Sequence, residues 1–90
     1  MGKKRERLEV IKDILNSVRT TRNIKPTRLL YSSNLSPQMF KEYVNELIKK
    51  DFIKLEEIDD TKKEFSLTNK GREFLQEYRV IESFIENFGL

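Results

Sequence analysis

The sequence predicts an α+β fold that is mostly helical and contains one small β-hairpin. Apolar residues recur at three- and four-residue spacing before residue 20, between residues 36 and 50, and after residue 68, which is the period of amphipathic helices. Between residues 52 and 67 the period shifts to two on either side of a charged turn, which is typical of paired strands. A chain of 90 residues supports one modest core, because it buries roughly 60 to 65% of its unfolded surface.

The first predicted helix runs from about Lys4 to Arg19 and is followed by the polar connector Thr20-Thr21-Arg22-Asn23. Its apolar residues fall on one face of a helix, so we expect them in the core. These residues are Leu8, Ile11, Ile14, Leu15 and Val18.

The second predicted helix is short. Pro26 suits its first turn, where the missing N–H has no partner to lose. Leu29 and Leu30 are the candidates for burial, with Tyr31 nearby, and we expect the helix to end by Asn34.

The third predicted helix, residues 36 to 50, has a core face and a polar face. Ser36 can cap it and Pro37 suits its first position. Its apolar stripe consists of Phe40, Tyr43, Val44, Leu47 and Ile48. Its opposite face consists of Gln38, Lys41, Glu42, Asn45 and Lys49. Amides can bind adenine edges and lysines can reach guanine or phosphate, so we expect this face in a DNA major groove; an ordinary solvated face is the alternative.

Two strands are predicted next, joined by the turn Asp59-Asp60-Thr61-Lys62-Lys63. Their alternating apolar residues are Ile53, Leu55, Phe65 and Leu67. The turn would form a wing, in which Lys62 and Lys63 are candidates for contact with a phosphate or the minor groove. Four acids near the tip would repel a phosphate, so an exposed turn that does not touch DNA is the alternative. These acids are Glu56, Glu57, Asp59 and Asp60.

Thr68 can cap a last helix. This helix has more apolar residues than the core of a small domain can cover. Large apolar surfaces left exposed usually mark partner sites, so we expect a symmetric dimer through this helix. The candidate dimer residues are Phe74, Tyr78, Ile81, Phe84, Ile85 and Phe88. The alternative is a helix that folds back entirely on its own chain.

The composition argues against catalysis. The chain has no cysteine and no histidine, so the thiol nucleophile, the commonest general base and the commonest metal ligand are all missing. We expect a protein that is not an enzyme and needs no cofactor or metal. No apolar run approaches the roughly 20 residues that span a bilayer, so we expect no membrane partner and a cytoplasmic, nucleoid-associated protein.

The charge distribution places the phosphate-binding potential near the start of the chain. Residues 1 to 28 contain nine Lys or Arg and three acids, a local charge of +6, whereas residues 51 to 67 contain three Lys and six acids, a local charge of −3. We therefore expect Arg22, Arg28 and the first helix to contact DNA phosphates.

These motifs, in this order, resemble the archaeal ten-kilodalton winged-helix proteins, which include chromatin-associated DNA binders and predicted transcriptional regulators. The resemblance covers nearly the whole chain and departs at Asp51, where a glycine often precedes the first wing strand. The residues on which the resemblance rests are Lys3-Lys4-Arg5 with Leu8, Ile11 and Leu15; Thr27-Arg28-Leu29 with Tyr31; Asn34-Leu35-Ser36 with Tyr43, Val44 and Leu47; Phe52-Ile53; and Leu67-Thr68-Asn69-Lys70-Gly71. It implies a dimer joined through the last helix, with paired recognition helices on double-stranded DNA.

The sequence thus predicts a winged helix-turn-helix with residues 1–70 as the DNA-binding domain and residues 68–90 as a C-terminal helix that packs on it and dimerises. The expected function is sequence-specific or architectural binding of double-stranded DNA by a homodimer, as a transcriptional regulator or chromatin protein. Two alternatives stay open: a protein-interaction module on the same scaffold, and a hydrolase with magnesium held by the four acids of the wing.

Overall fold

The computed structural model describes residues 7–89 as helices packed around a β-hairpin. The basic start Lys3-Lys4-Arg5, the predicted start of the first helix at Lys4, and Leu90 lie outside the described residues. The elements are α1 (Arg7–Thr20), α2 (Pro26–Ser33), α3 (Pro37–Lys49), β1 (Ile53–Asp59), β2 (Lys62–Leu67) and α4 (Asn69–Asn87). The predicted α+β fold is confirmed.

The core lies where α1, α2 and α3 meet the hairpin. Helix α1 packs against α2, β2 and α4, while α3 packs against α2 and β1. Ile24 forms an isolated antiparallel bridge to β2: its carbonyl oxygen accepts a 2.8 Å hydrogen bond from the N–H of Phe65, and its side chain is buried. The buried members of the core are Val10, Ile11, Ile14, Leu15, Val18, Ile24, Leu29, Val44, Leu47, Ile53, Phe65 and Leu67.

Several apolar residues predicted for the core are not buried. Leu8 is 56% exposed and Val10 takes the buried place instead, at 4%. The core stripe of α1 is centred between Ile14 and Val18, and on a helix of 3.6 residues per turn Leu8 lies about 100° from that centre, whereas Val10 lies about 60° from it. Ile48 is likewise exposed at the edge of the α3 stripe.

The hairpin is antiparallel and only its base is buried. Ile53 pairs with Leu67 and Leu55 pairs with Phe65 in register, and the register becomes irregular between Glu57 and Asp59. Ile53, Phe65 and Leu67 are buried, whereas Leu55, the cross-strand partner of Phe65, is 39% exposed.

Three residues join α3, the hairpin and α4. Asp51 adopts φ 66°, the left-handed conformation that explains why a glycine is common at this place. The Thr68 hydroxyl donates to the carbonyl oxygen of Asp51 at 2.6 Å and accepts from the N–H of Gly71 at 3.1 Å, which confirms its predicted capping role. A Cβ on Gly71 would collide with the carbonyl oxygen of Phe52 and lie 2.7 Å from Leu67 Cδ1, so only glycine lets α4 begin this close to β1.

Within residues 7–89, no helix is both long and apolar enough to cross a membrane.

Candidate nucleic-acid interface

Helix α3 is held firmly from behind and at its start. Val44 and Leu47 are buried, and Phe40 and Tyr43 pack partly against the same core. Pro37 occupies the first turn, and Ser36 caps the helix as predicted, with its hydroxyl accepting from the Met39 N–H at 3.2 Å. The core therefore determines which way every other side chain of α3 points.

The five polar residues predicted on α3 share one exposed face. At 100° per residue they span an arc of about 100° centred opposite the core stripe. They are Gln38, Lys41, Glu42, Asn45 and Lys49, all exposed in the structure. The face offers two amides, two lysines and one carboxylate, and none of the three charged groups forms an ion pair with another residue in the range 7–89.

The turn before α3 sets the angle between α2 and α3. Asn34 caps α2 in the left-handed conformation, with φ 58°. Ser33 is 2% exposed, and its hydroxyl donates to the Leu30 carbonyl oxygen at 2.7 Å and accepts from the Leu35 N–H at 3.3 Å. Sequence reasoning missed this buried serine, although a Ser-Asn pair at a helix end is a known turn signal.

The second acid on α3, Glu46, does not belong to the polar face, because two cations compensate its charge. It forms ion pairs with Arg7 at the start of α1 and with Lys50 at 3.0 Å. Arg7 also lies over the Tyr43 ring, 5.7 Å from its centroid. The hydrogen bond from Arg7, followed by that from Lys50, lowers the pKa of Glu46 below its ordinary value. Glu46 therefore contributes little net repulsion of a phosphate.

The two arginines predicted to contact phosphates lie on different parts of the molecule. Arg28 is exposed on α2, the helix that leads into the turn before α3. Arg22 is exposed after α1 and lines a cavity formed by residues of α1, β2 and α4 and the connector between α1 and α2. The structure thus brings Arg28, but not Arg22, onto a helix that packs against α3.

The wing is acidic in the structure as well as in the sequence. Residues 56 to 64 contain five acids and two lysines, a net charge of −3. Lys62 faces Glu64 and Lys63 faces Glu57, each at 3.9 Å; both lysines and Glu57 are exposed, whereas Glu64 is partly buried. Asp59 accepts from the Thr61 N–H at 2.9 Å, and this bond lowers the pKa of Asp59. In residues 7–89 no group of three or more acids is arranged to hold a metal ion.

Helix α4 divides into a packed half and an exposed half. Phe74 meets Phe52 edge to face at 5.6 Å and stacks with Tyr78 at 5.9 Å, so these two predicted dimer residues pack on their own domain. Beyond them the apolar residues are uncovered in the single chain. They are Val80, Ile81, Phe84, Ile85 and Phe88, which are 40 to 67% exposed.

Known proteins share this architecture. An uncharacterized protein from Methanocaldococcus jannaschii is 38% identical over 69 residues, which are 77% of this chain and only 65% of the length of that relative. Sso10a-2, a DNA-binding protein from Sulfolobus solfataricus, superposes with a TM-score of 0.77 at 20% identity over 93% of this chain and 85% of that one. MarR from Staphylococcus aureus, solved with salicylate and kanamycin, gives a TM-score of 0.73 at 18% identity over 86% of this chain and 53% of its own.

The likeness to the archaeal proteins that the sequence motifs indicate is therefore confirmed, with the solved structures showing the shared fold. The family model described as winged helix-turn-helix matches residues 4–86, which is nearly the whole chain. Helices α2 and α3 with their turn form the helix-turn-helix, and β1 and β2 form the wing. The chain belongs to the winged helix-turn-helix family.

Proposed function

We propose that this protein binds double-stranded DNA as a homodimer, with α3 in the major groove, and acts as a transcriptional regulator or chromatin protein. The observation that carries the proposal is the polar face of α3, where five exposed polar residues project from a helix whose opposite side is anchored in the core. The major groove is about 12 Å wide and admits one α-helix.

The polar face supplies groups that match base edges. Gln38 and Asn45 carry amides, and one amide can form two hydrogen bonds to adenine, one at N6 and one at N7. Lys41 and Lys49 can donate to guanine O6 and N7 or to phosphate, and Glu42 can accept from cytosine N4. Because Lys41, Glu42 and Lys49 have no competing ion pair within the described chain, they are available for such contacts.

Phosphate contacts would come from Arg28 and Arg22 and from the basic first helix. Residues 1 to 28 carry a net charge of +6, which is the strongest positive potential in the sequence. Such contacts position a protein on the duplex without reading its sequence. In the wing, Lys62 and Lys63 would add weak phosphate contacts, because the surrounding acids cancel most of their attraction.

The homodimer would form through the exposed half of α4. Val80, Ile81, Phe84, Ile85 and Phe88 place five large apolar side chains on the last turns of a helix of 19 residues. A second copy of the same helix can cover this face, since an apolar surface shared by two copies is self-complementary in a two-fold dimer. Phe74 and Tyr78 lie at the base of the interface and brace α4 against its own domain. The dimer would then set the distance between the two α3 helices.

A titration of a labelled random-sequence duplex of roughly three turns tests DNA binding. Fluorescence anisotropy at several salt concentrations should give micromolar or tighter affinity and a falling log-log slope of about −0.9 for each phosphate neutralised. Absence of salt-dependent binding, both on this duplex and on a pool screened for a preferred site, would contradict the proposal. That result would favour the alternative of a protein-interaction module, with the acidic wing as the candidate binding surface.

Sedimentation equilibrium of Phe84→Glu tests the dimer. The wild-type protein should be dimeric and Phe84→Glu monomeric, because the substitution places a charge in the apolar face. Ser83→Glu is the matched control: it adds the same charge at the neighbouring exposed position, about 100° around the helix, and should stay dimeric. A monomeric wild type, or a dimeric Phe84→Glu, would contradict the α4 interface.

A further inference from the structure

A groove between α1, β2 and α4 gathers arginines on the side of the domain away from α3. Two cavities form it, of about 300 Å³ and 400 Å³. Arg19 and Arg72 line both cavities, Arg79 lines the first and Arg22 the second. We call this groove the arginine cleft and define it by Arg19, Arg72 and Arg79.

The cleft is positively charged, and among the described residues its arginines have no acidic partner. Arg19 donates to Asn16 Oδ1 at 2.8 Å and Arg72 to Asn69 Oδ1 at 3.1 Å, and both acceptors are neutral. No ion pair joins Arg19, Arg72 or Arg79 to another residue between 7 and 89. Glu82 also lines the cleft, and it shares the Lys12 ammonium group, 3.5 Å away, with Asp13 at 3.3 Å. An anion would relieve the repulsion among these guanidinium groups.

The arrangement suits an anion with more than one phosphate. Guanidinium groups bind phosphate oxygens through paired N–H donors. Arg72 and Arg79 lie seven residues apart on α4, about 10.5 Å along its axis, so their guanidinium groups can hold two separate phosphates of one ligand. Leu75 and Tyr78 give the first cavity an apolar wall for an organic group.

The cleft lies apart from the polar face of α3, and it adjoins two other residues of the proposed function: Arg22, a proposed phosphate contact, and Tyr78 at the base of the proposed dimer interface. Its residues come from α1, β2, α4 and the connector after α1, while α3 packs against α2 and β1. On α4, Arg79 lies about 140° around the helix from Phe84, and it also lines a surface hollow with Tyr78 and Ile85 of the proposed dimer face.

We propose that the arginine cleft binds a small organic molecule that carries two or more phosphate groups, of the size of a nucleoside diphosphate. Its phosphates contact Arg19, Arg72 and Arg79, and its organic part lies against Leu75 and Tyr78. Nothing in this assignment depends on DNA binding.

Isothermal titration calorimetry with ADP and with inorganic pyrophosphate tests the proposal. The wild type should bind ADP saturably, and R72Q/R79Q should raise the Kd by about tenfold or more, since hydrogen bonds to charged groups are individually strong. Both arginines are exposed, so the variant should keep the wild-type thermal unfolding profile. The matched control K62Q/K63Q also removes two positive charges, but at the wing, and should leave the Kd unchanged. Absence of ADP and pyrophosphate binding to the wild type, or an equal loss in the control, would overturn the proposal.

The DNA backbone is the other source of phosphates, and a second titration distinguishes it. With saturating duplex present, ADP should bind with the same Kd, and R72Q/R79Q should bind the duplex as the wild type does. Displacement of ADP by the duplex, together with weaker duplex binding by R72Q/R79Q, would overturn the proposal and assign the cleft to DNA. Because the first calorimetry experiment contains no DNA, its result tests the arginine cleft alone and does not depend on whether the protein binds DNA.

Discussion

The polar face of α3 and the wing differ in how the fold supports them. Both are predicted from the sequence to touch DNA. Val44 and Leu47 anchor α3 in the core, so Lys41 and Asn45 project in one defined direction. The wing tip lies beyond the core, and its lysines face glutamates of the same hairpin. The comparison teaches that a packed helix positions a polar side chain for contact, whereas positive charge at a hairpin tip does not by itself establish a contact.

The largest effect is expected from Lys41→Ala/Asn45→Ala. This variant should bind a preferred duplex about 100-fold more weakly, because each good base contact is worth roughly 1 to 3 kcal/mol. The loss on a random duplex should be several-fold smaller, as anisotropy titrations of both duplexes would show. Lys54→Ala/Asn87→Ala truncates the same residue types at exposed positions outside α3 and should bind as the wild type does. Equal losses on both duplexes would remove the distinction between α3 and the wing.

A smaller, uniform effect is expected from Arg22→Ala/Arg28→Ala. Loss of two phosphate contacts should weaken binding on every duplex and reduce the salt slope by about 1.8. Tyr31→Ala is the control, since Tyr31 is 76% exposed on the same helix as Arg28 and is uncharged; its slope should be unchanged. A loss restricted to one duplex sequence would instead assign base contact to these arginines.

Glu46→Gln sharpens the contrast between a compensated acid on α3 and the acids of the wing. Arg7 and then Lys50 lower the folded-state pKa of Glu46 from its ordinary 4.5. Its ion pairs therefore stabilise the fold above pH 4.5 and lose that effect as the pH falls through the lowered folded-state pKa. The wild-type protein should have a higher Tm than Glu46→Gln at neutral pH, and this difference in Tm should shrink in acid.

Thermal unfolding followed by circular dichroism across this pH range gives the measurement. Glu42→Gln removes an exposed carboxylate from the same helix and should leave the Tm unchanged at neutral pH. A Tm difference for Glu46→Gln that persists unchanged in strong acid would show that the ion pairs with Arg7 and Lys50 do not cause it.

The smallest effect is expected from Lys62→Ala/Lys63→Ala. Both lysines are exposed, lie 3.9 Å from glutamates and belong to a region of net charge −3, so DNA affinity should fall less than about threefold without them. Anisotropy on the duplexes used for the α3 variant provides the measurement. A loss as large as that of Lys41→Ala/Asn45→Ala would break the comparison and make the wing an equal partner in binding.

The sequence predicted the elements well because each has a local physical cause. The spacing of Phe40, Val44 and Leu47 determines the core face of α3, and the Ser36 and Thr68 caps are visible in the chain. The polar face of α3 followed from the same spacing, since residues opposite a core stripe must be exposed. Its role in DNA contact stays a prediction.

Features that depend on distant residues were not predictable from the sequence. The ion pair of Arg7 with Glu46 joins residues 39 apart, and the pairing of Ile24 with Phe65 forms only when the connector meets β2. The arginine cleft likewise arises where α1 and α4 meet. Periodicity reports which side of an element is buried, but not which element covers it.

The most direct test of the account replaces adenine or guanine in the preferred duplex with its 7-deaza analogue. This change removes the N7 acceptor from the major groove and leaves the minor groove and the phosphates intact. Wild-type affinity should fall at the substituted positions, and Lys41→Ala/Asn45→Ala should show no further loss there. An unchanged wild-type affinity at every position, or equal losses in wild type and variant, would contradict base reading by α3.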